Sequence, residues 1–179
     1  WKPLEHMSFA LEWAVVPIVG VEVPKAIMTL PVGFLNNGDR FVLHAITGLE
    51  PGRNLFITDE GKWIGNYIPA ALRGFPFALA EAEDQRILCF DDASGLMVDA
   101  EQTEKKFFDA DGEISTDLEA VRDFLSHIDQ NRVVTNAACQ LMDELGIIEP
   151  WPITLKMVEH ERNIEGLYRI NESALNAAD

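Results

Sequence analysis

Short apolar runs separated by turn residues fill the first half of the chain and predict β-hairpins. The clearest turn contains Asn37-Gly38, since Asn-Gly between two apolar runs is the strongest short-range hairpin signal. Asp59-Glu60-Gly61 forms a second turn of this type, and the polar segment 81–86 joins a third pair of runs. The predicted strand pairs are 32–35 with 41–46, 54–58 with 62–64, and 77–80 with 87–90.

Apolar residues at helical spacing dominate residues 116–145. Thr116 and Glu119 have the capping-box spacing, which places a helix start at Thr116. Gly146 has the position of a C-terminal cap. We therefore predict two main helices near residues 116–145. Their apolar stripes are Leu118, Val121, Phe124, Leu125 and Ile128 in the first helix, and Val134, Ala137, Ala138, Leu141, Met142 and Leu145 in the second.

Shorter elements complete the predicted fold. We expect a short helix at 24–28, a helical turn at 69–73, and a last hairpin that pairs Ile153–Val158 with Ile164–Ile170. Asn171 has the position of an N-cap, and the apolar face of the helix after it suggests that a C-terminal helical element is missing. Hairpins followed by helices indicate one α+β domain over residues 1–179, with a largely antiparallel sheet.

The net charge of −16 predicts that the protein binds neither nucleic acids nor anionic membrane surfaces. Nucleic-acid binding requires a basic surface, and Lys105-Lys106 is the only adjacent basic pair. Anionic membrane surfaces are disfavoured for the same reason. The longest apolar stretch, 13–23, is shorter than the roughly 20 residues of a transmembrane helix. We therefore predict a soluble protein without membrane insertion.

No motif predicts a metal or a cofactor. Residues 107–115 resemble part of a calcium loop, but alignment on Gly112 puts Phe107 and Leu118 where oxygen ligands are required. A polar turn explains the same residues. Cys89 and Cys139 both lie among apolar neighbours, which predicts two buried free thiols; a disulfide between them is the alternative.

No catalytic motif is present either. None of the serines lies in a nucleophile motif, and the histidines lack the spacing of a zinc site. An enzyme or small-molecule-binding protein with an unfamiliar site remains the alternative. Its candidate residues are His44 within a strand, Asp91 at a strand end, and Arg73.

Aromatic residues and an arginine gather between positions 63 and 77, among prolines. Tyr, Trp and Arg dominate the energetics of protein interfaces. The cluster therefore predicts a partner-binding surface, with packing in the core as the alternative. The residues assigned to this surface are Trp63, Tyr67, Arg73, Phe75 and, from the proline-flanked connector 149–152, Trp151.

Several segments carry a family resemblance, among them Val16-Pro17-Ile18-Val19, Gly48-Leu49-Glu50-Pro51-Gly52-Arg53, Tyr67-Ile68-Pro69-Ala70, Phe75-Pro76-Phe77-Ala78-Leu79, Gly146-Ile147-Ile148-Glu149-Pro150-Trp151-Pro152 and Gly166-Leu167-Tyr168-Arg169-Ile170. Together they resemble the SapC family of bacterial proteins. The resemblance implies association with a bacterial surface layer, hence with the cell surface, and it supplies no set of catalytic residues. The function hypothesis is a non-enzymatic protein–protein interaction or assembly protein, structural in a surface layer or another ordered particle. Family members usually continue with further helix beyond residues 174–176.

Overall fold

A computed structural model describes residues 1–82, 85–156 and 161–178. Within these residues the strands are β1 (Val15–Pro17), β2 (Val32–Asn36), β3 (Phe41–Ile46), β4 (Phe77–Ala82), β5 (Gln85–Phe90), β6 (Ile148–Pro150), β7 (Ile153–Lys156), β8 (Glu161–Ile164) and β9 (Leu167–Ile170). The α-helices are α1 (Val23–Ala26), α2 (Ala70–Arg73), α3 (Thr116–Glu144) and α4 (Glu172–Ala177).

The sheets confirm the predicted α+β class. Five strands form the main sheet in the order β1-β3-β2-β9-β6, and every adjacent pair is antiparallel. β4 with β5 and β7 with β8 form two further antiparallel pairs. The β2–β3 turn shows why Asn-Gly predicts a hairpin. Gly38 has a φ of +100°, which suits a residue without a Cβ, and its N–H donates to Asn36 Oδ1 at 2.8 Å.

Three details of the predicted strands are wrong. Residues 54–64 form one isolated bridge between Ile57 and Trp63 rather than a two-stranded hairpin. The predicted last hairpin does not form either, because β7 pairs with β8, whereas β9 joins β2 and β6. Part of that prediction, residues 157–158, lies outside the described residues. The prediction makes the polar segment 81–86 a connection between two strands, but all four of its described residues, 81–82 and 85–86, belong to β4 and β5.

The two predicted main helices are one helix, α3, of 29 residues. No Gly or Pro occurs between Ser115 and Gly146, so nothing interrupts the backbone hydrogen bonding. Its N-cap is Ser115, one residue before the predicted cap, and the Ser115 hydroxyl accepts from Leu118 N at 3.2 Å. Gly146 terminates the helix as predicted: with a φ of +66°, it donates to the Asp143 carbonyl, while Ile147 donates to Met142.

The core lies where α3 and the N-terminal segments pack on the main sheet. Its largest cluster joins Phe34, Phe41 and Leu43 of the sheet to Leu30 and to Cys139 of α3. A second cluster, around Trp1, Phe77 and Leu118, packs β4 against the first turn of α3. The helix therefore spans two clusters, and the residues between them line a cleft. No helix in the described parts of the chain combines the length and apolar composition needed to cross a bilayer.

Candidate functional site

The outer face of α3 is apolar but uncovered. We call this surface the α3 outer face; at 100° per residue its members fall on one side of the helix, opposite Cys139. Val133, Val134, Leu141 and Leu145 are 63%, 69%, 55% and 55% exposed, and the alanines between them are also exposed. The α3 outer face consists of Val133, Val134, Ala137, Ala138, Leu141 and Leu145.

The second predicted stripe therefore does not pack on the protein's own core. Of its residues only Met142 is half-buried. Instead the buried side of this part of α3 carries Thr135 and Cys139. The Thr135 hydroxyl accepts from Gly20 N at 2.8 Å and donates to the Asn131 carbonyl at 2.7 Å, which satisfies a polar group inside the protein.

The two cysteines differ in environment. Cys139 is 1% exposed, and burial raises the pKa of its thiol. Cys89 lies on β5 and is exposed, so the prediction that both are buried is wrong for Cys89. Both thiols are free. Strand β5 belongs to a two-stranded sheet with little cover, which is why apolar neighbours in sequence did not bury it.

On the side away from the α3 outer face, α3 borders a cleft of about 240 Å³, which we call the α3–β4 cleft. Its walls come from the segment 17–22, from α2 and β4, and from the middle of α3. Glu22, Asp129, Arg132, Thr135 and Asn136 are its polar side chains. The cleft thus combines apolar walls with a few charged groups, which is the usual composition of a ligand site.

Glu22 is the most deeply buried charged residue among those described, at 3% exposure. Its carboxylate accepts three hydrogen bonds, from Val19 N at 2.9 Å, Tyr67 Oη at 2.8 Å and Ala70 N at 2.7 Å. Such a carboxylate is stable inside a protein because its donors replace the lost water. Glu22 therefore ties the segment before α1 to the first turn of α2.

Tyr67 and Arg73 are the two predicted partner-binding residues that the structure brings together. Arg73 donates to the Tyr67 hydroxyl at 3.4 Å, and its guanidinium lies 5.0 Å from the Phe124 ring centroid. Burial and then the Glu22 carboxylate raise the pKa of Tyr67 to about 12, although Arg73 acts in the other direction. Tyr67 therefore stays protonated and keeps donating to Glu22 at neutral pH.

The other three predicted residues are half-buried, and each has its own packing partner. Trp63 stacks on Phe56, with ring centroids 5.5 Å apart. Phe75 stacks on Phe9 at 3.8 Å. Trp151 packs near Gly33 of β2, within 3.4 Å of the position that a Cβ at Gly33 would take. Arg73 is the exposed member of the five predicted residues.

The comparison with known families decides the identity. The SapC family model matches residues 1–179, the whole chain. The chain belongs to the SapC family. No curated protein and no solved structure matches it. Family membership confirms the resemblance found in the sequence, and the fold of this SapC protein is the α+β arrangement described above.

The candidate catalytic residues of this SapC chain have separate structural roles. His44 lies in the middle of β3, and its Nδ1 donates to the Val42 carbonyl at 2.9 Å. Asp91 is exposed and accepts from Ala93 N at 3.0 Å, as the cap of a short 3₁₀ helix, Asp92–Ser94. Arg73 donates to the Ile68 carbonyl at 3.0 Å. None of the three hydrogen-bonds to another, among the described residues.

The calcium-like segment of this SapC chain forms a turn before α3. Asp109 Oδ1 accepts from Asp111 N at 2.9 Å and from Glu113 N at 3.0 Å, and Phe108 bridges to Ile114. Side-chain acceptors that bind nearby backbone amides in this way stabilise turns. In the described ranges, no three His, Cys, Asp or Glu side chains gather as metal ligands would.

Sequence reasoning missed the residues of the α3–β4 cleft. Glu22 had a signal, since it is a lone carboxylate inside the apolar stretch 13–23. Such a residue is either exposed or satisfied by specific donors, and the structure shows the second case. Asp129, Arg132 and Asn136 gave no signal, because polar residues of this kind are common on exposed helix surfaces.

His44 gives a pH prediction for this SapC protein. Burial lowers the pKa of His44, and the hydrogen bond to Val42 only partly opposes this. The unfolded chain therefore binds the proton first as pH falls. The stability that neutral His44 contributes is present above about pH 6.5 and is lost as pH decreases below that value.

We expect the free energy of unfolding to fall less between about pH 7.5 and pH 5.5 in His44→Gln than in the wild type, since only the wild type loses this contribution. Urea denaturation at both pH values measures it. His127→Gln, at an exposed position on α3, is the matched control and is expected to keep the wild-type difference. Equal pH differences in wild type and His44→Gln would contradict the assignment.

Proposed function

We propose that this SapC-family chain is a non-enzymatic assembly protein, a structural component of a bacterial surface layer or another ordered particle. Copies of the chain pair through the α3 outer face. The observation that supports this is the exposure of four large aliphatic residues on one side of a helix whose other side is packed in the core. Contiguous exposed apolar patches on soluble proteins usually mark interaction sites.

A second copy fits this face because the spacing of its residues is self-complementary. In an antiparallel pair with its two-fold axis between Ala137 and Ala138, Val134 of one copy lies opposite Leu141 of the other. The small alanines at the centre allow the helix axes to approach to about 8 Å, the lower end of the usual range for packed helices. A two-fold contact of this kind uses the same surface on both copies and closes on itself.

The charge distribution also permits pairing. The six residues of the α3 outer face are all uncharged. Glu144 lies on the same side of the helix, but in the antiparallel pair it faces the neutral Asn131 of the other copy, so no like charges lie opposite each other. The chain as a whole carries −16, and two copies repel each other at long range. Added salt shortens the range of that repulsion without weakening the apolar contact. Pairing should therefore strengthen with salt. Binding of a basic partner would instead weaken with salt, because salt screens the attraction between opposite charges.

The contact is small, and its affinity should be modest. Thirteen residues of helix are about 20 Å long. One such face buries less than the roughly 800 Å² per partner of a standard interface. We expect a dissociation constant in the micromolar range for two free copies. In an ordered particle many weak contacts act together, and their combined strength exceeds that of one contact.

The test is the mass of the purified chain by sedimentation velocity across a concentration series. It is run between about 0.01 M and 0.15 M ionic strength, where the Debye length falls from about 30 Å to 8 Å. We expect a monomer–dimer equilibrium that shifts to dimer with salt, and a monomer for Leu141→Glu, because the new charge would be buried in the contact.

Leu55→Glu is the matched control, since Leu55 is 51% exposed and lies outside α3. It should dimerise like the wild type. A monomer at every concentration and salt level, or an equal loss of dimer in both variants, would contradict the proposal. We also propose that Trp63, Tyr67, Arg73, Phe75 and Trp151 contribute to a second partner-binding surface. Arg73 is the residue most available to a partner there.

A further inference from the structure

The α3–β4 cleft has apolar walls that the chain's own side chains leave open. Val19, Leu79 and Leu125 approach it from three different segments, so no single element fills it. Its volume is about 240 Å³. One water needs only about 10–15 Å³ of such space, so the cleft has room for a short apolar chain rather than for a single water.

Hydrogen-bond donors line one edge of this cleft. Arg132 and Asn136 are four residues apart on α3, so their side chains lie side by side on the helix surface. The Arg132 guanidinium uses one of its nitrogens, Nη2, to bind Asp129. The Arg132 side chain is 55% exposed, and its other N–H groups, like the Asn136 side-chain amide, make no hydrogen bond to another described residue.

The charge of Asp129 at this edge is already compensated. Its carboxylate is only 14% exposed and contacts two guanidiniums, Arg132 through Oδ1 and Arg86 Nε through Oδ2 at 2.9 Å. Arg86 also pairs with the exposed Glu81 at 2.8 Å. The edge therefore offers unused donors of Arg132 and Asn136 rather than an unpaired carboxylate. Arginine is suited to binding a carboxylate because its N–H groups match the two oxygens.

We propose that the α3–β4 cleft binds a small amphiphile with a carboxylate head and a short apolar body. The head binds Arg132 and Asn136. The body lies against the apolar walls formed by α2, β4 and the segment 17–19. Glu22, on another wall, accepts three donors already and repels a second carboxylate, which fixes the head at the α3 edge. This inference is independent of pairing through the α3 outer face.

The test uses octanoate as the probe, with octanol and octylamine as head-group comparisons, in isothermal titration calorimetry and thermal denaturation. We expect saturable 1:1 binding of octanoate and a higher melting temperature in its presence. Octanol should bind at least about tenfold more weakly, which is a free-energy loss of about 1.4 kcal/mol. Octylamine should not bind, because its ammonium group meets Arg132.

Two variants of the full chain locate the site. Arg132→Gln should weaken octanoate about tenfold or more, and Ala71→Phe should abolish binding by filling the cleft from an exposed position on α2. Arg122→Gln, on α3 but outside the cleft lining, is the matched control and should bind like the wild type. Thermal denaturation without ligand establishes that each variant is folded.

Several results would overturn the inference. No saturable binding of octanoate would exclude the ligand class. Equal affinity for octanol or octylamine would exclude the carboxylate head. Unchanged affinity in folded Ala71→Phe would place any binding elsewhere on the protein. Loss of dimer in the sedimentation experiment leaves these outcomes unaffected, so the two proposals fail separately.

Discussion

Replacing Glu22 by Ala is expected to lower the free energy of unfolding by at least about 2–3 kcal/mol, because several buried donors lose their acceptor. The variant leaves Val19 N, Tyr67 Oη and Ala70 N without their acceptor. Each buried donor left unsatisfied costs about 1–3 kcal/mol. Domains of this size are stable by only about 5–15 kcal/mol, so the loss is a large share of the total.

Urea denaturation followed by circular dichroism measures this effect. Glu22→Gln is expected to lose less, because the amide keeps one oxygen as an acceptor although its nitrogen cannot accept. Glu5→Ala is the matched control at an exposed position and is expected to change stability by no more than about 0.5 kcal/mol. A loss below about 1 kcal/mol in Glu22→Ala would contradict the view that this carboxylate joins α1 and α2.

Local patterns in the sequence predicted much of the fold. The Asn37-Gly38 turn predicted the position of the β2–β3 hairpin, because the positive φ at Gly38 depends only on the residues of the turn itself. Gly146 located the end of α3 in the same way. The antiparallel class followed from short connections between apolar runs, since parallel strands need long crossovers.

Long-range pairing was not predictable in this way. Strand β9 alternates like a hairpin strand, but its partners β2 and β6 are determined by the packed sheet rather than by its neighbours in sequence. The α3 outer face shows the same limit. Helical spacing identified Val134 and Leu141 as one stripe, but spacing does not reveal which side of a helix the rest of the chain covers. Thr135 and Cys139, which lie outside the predicted stripe, occupy the covered side.

The α3 outer face also gives a prediction with an all-or-none result. In the proposed antiparallel pair, position 137 of one copy lies about 1.5 Å along the axis from position 137 of the other, whereas the two copies of position 130 are about 22 Å apart. A disulfide needs Cα atoms within about 7 Å. Ala137→Cys should therefore form a covalent dimer on mild oxidation, and Gln130→Cys, on the same side of the helix, should not.

The exposed native thiol is first removed by Cys89→Ser, while buried Cys139 stays. Both variants are oxidised at a protein concentration where the wild type is dimeric, and non-reducing electrophoresis then measures the dimer. The account predicts nearly complete dimer for Ala137→Cys and monomer for Gln130→Cys. Monomer in both variants, or equal dimer in both, would contradict the proposal that copies of this chain meet in an antiparallel pair through the α3 outer face.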